Sequence, residues 1–250
     1  MSWAGYRAAW SIVSGPAFDV YVGTRMLAVE FGSGSRRLVA AAASEGLSHV
    51  LREIPASRLR SRPVRVWLSG GLCRAFLLAA PRGLSDHAEL ERIASAMAAA
   101  RTGLSAPCRV WVDETADAGR HVVAAASEDM LAGVMSAMGD ARLNVIRLAP
   151  WWGAAQHALA PPTTAGSCTL MSIADCDSLT VFSAEGGSFG SVASWPHMLN
   201  ERDVHGLLKR AEAELPSVPS RSIHARLMID GAPFVSTGPT FAFSDRTRIT

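Results

Sequence analysis

Short β-rich segments closed by tight turns alternate along this chain with helices that carry one apolar face. The first two segments, Phe18–Val22 and Met26–Phe31, are separated by Gly23-Thr24-Arg25, and this spacing indicates a hairpin. A helix follows from Ser44 to Arg52, and two further β-segments flank the turn Ser69-Gly70-Gly71. Helices placed between hairpins predict α/β lobes built on mixed sheets, and they argue against a regular doubly wound parallel sheet.

Two central helices have regular apolar positions. We expect Ser85 to cap the first helix and Gly103 to end it, and its apolar positions are typical of a core face: Leu90, Ile93, Met97 and Ala98. The second helix begins at Ser127, and its periodicity predicts four residues that face inward: Leu131, Val134, Met135 and Met138. Both helices are therefore predicted to cover sheets.

The segment Ala160–Gly166 is rich in turn-forming residues and is the best candidate for a boundary between lobes. After it the sequence predicts a three-stranded meander, a helix and one more strand: Thr169–Ile173, Ser178–Phe182, Gly190–Trp195, Glu201–Leu215 and Ile223–Ile229. We therefore predict an N-terminal tail at 1–17, a first lobe at 18–160, a second lobe at 161–235 and a C-terminal tail at 236–250.

Composition and charge narrow the classes of partner. Residues of the hydrophobic class make up 49% of the 250 residues, which is enough for a sizeable core. The net charge of +2 gives no electrostatic bias towards nucleic acid, so no nucleic-acid partner is expected. We interpret the densest basic cluster as a solvated loop and strand edge, with a phosphate-binding patch as the alternative: Arg52, Arg58, Arg60, Arg62 and Arg65.

The sequence predicts a cytoplasmic protein. The weakly polar run Leu38–Leu47 is far shorter than the roughly 20 residues that cross a bilayer. The run Trp3–Val13 contains Arg7 within it, unlike a secretory signal. The four cysteines have no C-x-x-C spacing, and we interpret them as reduced thiols.

Motifs that carry chemistry are missing from the sequence. It contains no P-loop, no G-x-G-x-x-G motif after a strand and no G-x-S-x-G nucleophile elbow. The seven histidines do not share a helix face at metal-ligand spacing. The acidic groups Asp113-Glu114 and Asp175-Cys176-Asp177 are explained by turn chemistry. We therefore predict no catalytic, cofactor-binding or metal residues.

The order of features over Phe18–Met228 resembles a known family. The relevant segments are a strand and turn, a strand that ends at a proline, a short strand closed by a proline, and two strands that open a new lobe: Val64-Arg-Val-Trp-Leu-Ser-Gly-Gly, Phe76-Leu-Leu-Ala-Ala-Pro, Leu143-Asn-Val-Ile-Arg-Leu-Ala-Pro, Cys168-Thr-Leu-Met-Ser-Ile and Leu179-Thr-Val-Phe. In this order the chain resembles the cytoplasmic actin-like domain of the type II secretion L protein and the related type IV pilus M protein. The resemblance implies an actin-like, ribonuclease H-like fold of the α/β class, with two lobes whose mixed sheets are flanked by helices.

The same resemblance bears on nucleotide binding. Actin-like ATPases hold phosphates with an Asp-x-Gly turn in each lobe, where the carboxylate organises the metal and the glycine admits the phosphate. The matching second-lobe positions here are Ser172 and Ala174, and in the first lobe Asp19 and Gly23 are too far apart to form such a turn. The resemblance therefore implies a protein that uses the fold for docking, as the secretion L protein does.

The resemblance thus implies a non-catalytic scaffold without cofactor, peripheral to the inner membrane. It would dock the secretion or pilus assembly ATPase and inner-membrane platform proteins, with a homodimer left open. Two alternatives are a nucleotide-binding ATPase related to actin and sugar kinases, and a small-molecule enzyme of an unrelated α/β fold.

Two surfaces are candidates for partner binding. The N-terminal aromatic residues Trp3, Tyr6 and Trp10 precede the first strand and are of the type that concentrates binding energy at interfaces. The helix after Asp86 presents three charged residues: Glu89, Arg92 and Arg101. The alternative is that the aromatic residues cover the edge of a lobe and that the charges form a solvated face.

Overall fold

A computed structural model describes residues 17–24, 27–31, 35–39, 43–53, 63–80, 84, 86–113, 119–158, 168–175, 177–185, 188–196, 201–213, 221–228 and 240–242. Within these ranges the chain forms thirteen strands and five helices, in this order: β1 (Phe18–Val22), β2 (Leu27–Phe31), β3 (Ser35–Val39), α1 (Ala43–Glu53), β4 (Pro63–Leu68), β5 (Cys73–Ala79), α2 (His87–Thr102), β6 (Cys108–Val112), β7 (Arg120–Ser127), α3 (Glu128–Asp140), β8 (Asn144–Pro150), α4 (Trp151–Ala158), β9 (Cys168–Ala174), β10 (Ser178–Glu185), β11 (Ser188–Pro196), α5 (Glu201–Ala213), β12 (Arg221–Met228) and β13 (Thr240–Ala242).

Two five-stranded mixed sheets have the same topology. The first has the order β3-β2-β1-β4-β8 and the second has the order β11-β10-β9-β12-β13. In each sheet the first three strands of the chain pair as an antiparallel meander, and the last two join in parallel beyond the first strand. We call the part around the first sheet the first lobe and the part around the second sheet the second lobe. The predicted α/β architecture of two mixed-sheet lobes is confirmed.

A third, smaller sheet is inserted between β4 and β8 of the first lobe. Its order is β5-β7-β6, and both pairings are antiparallel. Helix α2 covers this inserted sheet with buried Leu90, Ala94 and Ala98. Asp86 caps the helix by accepting a hydrogen bond from the Ala88 amide at 3.1 Å, in place of the predicted Ser85, which lies outside the described residues.

The C-terminal end of α2 agrees with the sequence prediction. Gly103 ends α2 as predicted, because its φ of 68° is a left-handed conformation that glycine adopts at little cost. Helix α4 begins at Trp151, directly after β8. None of the helices in the described ranges is long and apolar enough to cross a membrane.

The two lobes share one hydrophobic core. One face of the second sheet packs against α5 through Leu170, Leu179 and Val181. From its other face, Met171, Ile173 and Phe182 join the cluster that contains the core of the first lobe. The ring of Phe182 lies 5.7 Å from that of Trp152 on α4. Because burial of large aromatic side chains dominates core energetics, this contact holds the lobes together.

Two strands lack a signal in the sequence. β3 begins at Ser35, where the sequence is too polar and basic to indicate a strand. β13 pairs in parallel with β12 at the far edge of the second sheet. In both cases the neighbouring strand supplies the hydrogen bonds that local sequence does not predict.

Gly70 is a sensitive point of the lobe contact. A Cβ atom at Gly70 would lie 2.3 Å from Ser178 Oγ and 3.0 Å from Thr180 Oγ1, both in the second lobe. We therefore expect Gly70→Ala to lower the free energy of unfolding by about 1–3 kcal/mol, measured by urea denaturation.

Gly139 on α3 is the matched control, because a Cβ there meets nothing within 4 Å. Gly139→Ala should stabilise the protein by up to about 1 kcal/mol through helix propensity. A Gly70→Ala protein as stable as the wild type would contradict the close packing of the lobes.

Candidate functional site

Three turns meet where the lobes meet. The first lobe contributes Thr24 from the β1–β2 turn and Ser69 from the β4–β5 turn, and the second lobe contributes the β9–β10 turn. The Thr24 amide and hydroxyl both donate to Asp177 Oδ2, the hydroxyl at 2.7 Å. The Ser69 hydroxyl donates to the same oxygen at 3.1 Å. One buried carboxylate of the second lobe is thus held by donors of the first lobe.

Asp175 makes a second polar contact across the junction. Its Oδ2 accepts a hydrogen bond from the Gly70 amide at 2.7 Å. Its Oδ1 stays within the turn and accepts from the amides of Asp177 and Ser178 and from the Ser178 hydroxyl. Turn chemistry therefore explains one oxygen of Asp175. The sequence interpretation missed that both carboxylates reach the other lobe.

The positions matched to the Asp-x-Gly turn need a correction. Ser172 and Ala174 lie inside β9, where they pair with Val181 and Leu179 of β10. The turn that follows β9 carries the carboxyl groups of Asp175 and Asp177, so acidic side chains lie just beyond the two matched positions. These carboxylates instead accept hydrogen bonds from the chain itself, within the described residues of the junction.

Burial dominates the electrostatics of this junction. Burial and, to a smaller extent, the nearby charge of Asp177 raise the pKa of Asp175 to about 8, although the hydrogen bonds from Gly70 and Ser178 act in the opposite direction. Asp177 is 4% exposed, and its Oδ1 is buried without a hydrogen-bond partner. An unpaired oxygen on a buried carboxylate carries an unfavourable desolvation free energy.

A separate polar cluster lies on the first sheet. Asp19 accepts hydrogen bonds from the guanidinium of Arg65 and from the indole of Trp67, at 2.5 and 2.7 Å. Burial raises the pKa of Asp19, and the Arg65 charge opposes that shift. Arg65 is therefore part of a mostly buried ion pair in the middle of a sheet, and not of the predicted strand edge.

An open groove of about 500 Å³ lies between α3, β6 and β8. Its walls are largely apolar: Trp111, Leu131, Ala132, Met135, Val145, Ile146 and Leu148. Met135 was predicted to face inward, but it is 43% exposed and borders the groove, as does Ile146 at 41%. Three charged residues also line it: Arg109, Glu128 and Arg147.

Two sheet edges border this groove. Among the described strands, β6 is the edge of the inserted sheet and β8 is an edge of the first sheet. An edge strand presents backbone donors and acceptors that another extended segment can pair with. The Arg147 guanidinium lies 4.6 Å from the centre of the Trp67 ring, which links this groove to the Asp19 cluster.

The predicted docking residues lie elsewhere. Glu89 and Arg92 form an exposed ion pair at 3.2 Å on α2, and Arg101 is exposed near the end of that helix. None of these residues lines the groove. Trp3, Tyr6 and Trp10 fall outside the described residues. The groove had no recognisable sequence signal, because its apolar residues occupy positions that read as ordinary core.

The described residues were compared with the ligand sets that bind metal ions. In the described ranges, no three side chains of the His, Cys, Asp and Glu types come together in a way that could hold an ion.

The raised pKa of Asp175 predicts a pH-dependent stability. Between about pH 4 and pH 8 the folded chain holds a proton that the unfolded chain releases, so wild-type stability should fall as pH rises, by up to about 1.4 kcal/mol per unit. We expect Asp175→Asn to be less stable than the wild type at pH 5, and this deficit to shrink towards pH 8.

Urea unfolding at several pH values measures this trend. Glu185→Gln is the control, because Glu185 is exposed at the far end of β10. Parallel stability curves for Asp175→Asn and the wild type would show that Asp175 is ionised throughout and would contradict the prediction.

Comparison with known proteins was made on sequence and on structure. No family model and no curated relative matches the sequence. The structure is similar to that of a Bacteroides thetaiotaomicron protein with an actin-like ATPase fold and unknown function, with a TM-score of 0.56 and 10% identity. That similarity covers 86% of this chain and 84% of the other.

Two further solved structures correspond to the predicted family. The PilM–PilN type IV pilus biogenesis complex matches with a TM-score of 0.51 and 15% identity, over 79% of this chain and 66% of that chain. The cytoplasmic domain of EpsL, an inner membrane component of the type II secretion system of Vibrio cholerae, matches with a TM-score of 0.50 and 13% identity, over 92% and 86%. The predicted resemblance is confirmed at the level of structure, and the chain has the actin-like ATPase fold.

Proposed function

We propose that this chain is a non-catalytic scaffold of a type II secretion or type IV pilus assembly platform, working in the cytoplasm at the inner membrane. The observation that carries the proposal is the open groove between α3, β6 and β8, since it exposes apolar side chains beside two sheet edges. Contiguous exposed apolar surface of this kind is typical of a binding site.

The occupant that best fits the groove is an extended cytoplasmic segment of a membrane partner. Such a segment can pair with the edge of β6 or β8 while its side chains alternate between the groove and solvent. Arg109 and Arg147 outnumber Glu128 among the charged lining residues, so the segment should combine apolar side chains with at least one carboxylate.

Structural neighbours support this kind of partner. PilM forms a complex with PilN, and EpsL is an inner membrane component. At the low sequence identities seen here these neighbours establish the fold alone, so the partner of this chain is inferred from the chemistry of its groove.

The proposed ATPase-docking surface is the exposed side of α2. Glu89, Arg92 and Arg101 offer charges there that can orient an incoming partner. The aromatic residues Trp3, Tyr6 and Trp10 are proposed to add contact area to a partner interface. Two separate surfaces let one scaffold hold a membrane protein and an ATPase at the same time.

We predict that substitutions in the groove weaken binding of the membrane partner only, and that a substitution on α2 weakens binding of the ATPase only. Met135→Asp and Arg109→Glu should weaken binding of the membrane partner at least tenfold, about 1.4 kcal/mol, and leave ATPase binding unchanged. Arg92→Glu should do the reverse. Co-purification of the chain with its co-expressed platform proteins and ATPase, followed by titration of the partner's cytoplasmic segment, measures both effects.

Ser136→Asp is the matched control, because Ser136 is exposed on α3 and does not line the groove. If folded groove variants keep the membrane partner at wild-type affinity, the groove is not its docking site. If Arg92→Glu keeps the ATPase fully, α2 does not dock it.

The competing function, nucleotide binding, also has support in the actin-like ATPase fold. At the junction, however, Asp177 already takes the donors of Thr24 and Ser69, and Phe182 packs on Trp152. We expect no ATP hydrolysis and a dissociation constant for Mg-ATP no tighter than about millimolar, on the order of −4 kcal/mol. Calorimetry that detects micromolar binding would favour the nucleotide-binding alternative.

A further inference from the structure

Three donors of the first lobe converge on one oxygen of the second lobe. The amide and hydroxyl of Thr24 and the hydroxyl of Ser69 all point at Asp177 Oδ2. These donors belong to two turns that are separated by more than forty residues in sequence, yet they surround a single negative oxygen. Convergent donors from backbone and hydroxyl groups are the usual means by which proteins bind an oxyanion.

The carboxylate of Asp177 fits this site through only one of its oxygens. Oδ1 is buried and has no hydrogen-bond partner, although the whole residue is 4% exposed. Gly71 leaves room for it, because a Cβ atom there would lie 2.9 Å from Oδ1 and 3.1 Å from Thr24 Cγ2. A charge buried with an unsatisfied oxygen is costly, so it indicates a role beyond packing.

The turn itself does not require this side chain. Asp175 supplies the acceptor that orders the turn, through its bonds to the Asp177 amide and to Ser178. The hydrogen bonds of the Asp177 side chain are instead made to Thr24 and Ser69 across the junction.

We propose that Asp177 is a built-in anionic ligand: its carboxylate occupies an oxyanion site formed by Thr24 and Ser69 and thereby closes the two lobes without an external ligand. When the side chain is removed, the emptied site takes a small oxyanion such as inorganic phosphate. This inference concerns the junction and is independent of the docking function proposed for the groove.

The test compares Asp177→Ala and Asp177→Asn with the wild type, and Glu185→Gln serves as a control that removes an exposed carboxylate from the far end of β10. Hydrogen exchange reports on the Thr24 and Gly70 amides. Thermal unfolding is followed in phosphate and in chloride at equal ionic strength, so that general salt effects cancel.

In Asp177→Ala we expect exchange at Thr24 to accelerate about tenfold or more, because its acceptor is lost. Exchange at Gly70 should accelerate as well, since the lobes loosen together. Phosphate at about ten times its dissociation constant should then raise the melting temperature of this variant by about 3 °C and restore both protections. The wild type and Glu185→Gln should show no specific response to phosphate.

Asp177→Asn retains the volume of the side chain but not its charge. Exchange at Thr24 should accelerate in this variant, and its stability should not respond to phosphate, because the side-chain amide still fills the site. If Asp177→Ala does not fold, Asp177→Asn tests the proposal in its place. Unchanged exchange at Thr24 in a folded Asp177 variant would overturn the proposal. So would equal stabilisation by phosphate of the wild type and Asp177→Ala.

Discussion

Two buried carboxyl groups at the lobe junction fix how the two lobes of this structure pack together. Asp175 and Asp177 are 1% and 4% exposed, and each accepts a hydrogen bond from the opposite lobe. Apolar contacts such as Phe182 on Trp152 supply the larger share of the free energy, but they tolerate sliding. Buried hydrogen bonds do not, because a displaced donor leaves a carboxylate without compensation. The polar contacts therefore fix one relative placement of the lobes, and Gly70 and Gly71 admit the close approach that this placement requires.

The duplicated topology explains how the contact arises. Each lobe begins with a meander whose first turn lies at the same place in its sheet, β1–β2 in one and β9–β10 in the other. The two turns differ in chemistry. The first presents donors at Thr24, and the second presents acceptors at Asp175 and Asp177. Two turns of the same chemistry would bring like groups together. Here one turn has hydrogen-bond donors and the other has acceptors, so the two lobes are complementary.

Much of this fold could be predicted from the sequence, because local residue patterns indicate most of its helices and strands. The hairpin of β1 and β2 and the end of α2 at Gly103 follow from turn and cap chemistry. β3 could not be predicted, because its sequence has no local preference for a strand and its conformation depends on pairing with β2. The bond between Thr24 and Asp177 joins residues 153 positions apart, so a turn interpretation was the most that the sequence allowed. Met135 has the spacing of a core residue on α3. Its exposure depends on how α3 packs beside β8, and the sequence of α3 alone does not give that packing.

The inserted sheet explains why a groove exists at all. The chain leaves β4, forms β5, α2, β6, β7 and α3, and returns to add β8 at the edge of the first sheet. This path leaves the edges of β6 and β8 on either side of the same groove, with α3 between them. Exposed sheet edges beside apolar surface invite aggregation unless they are guarded or covered. Arg109 and Arg147 provide a guard, since charge at an edge discourages pairing between copies of a basic surface. The same charges would attract an extended acidic segment. Positive charge at these two positions would therefore both limit self-association and favour the proposed partner.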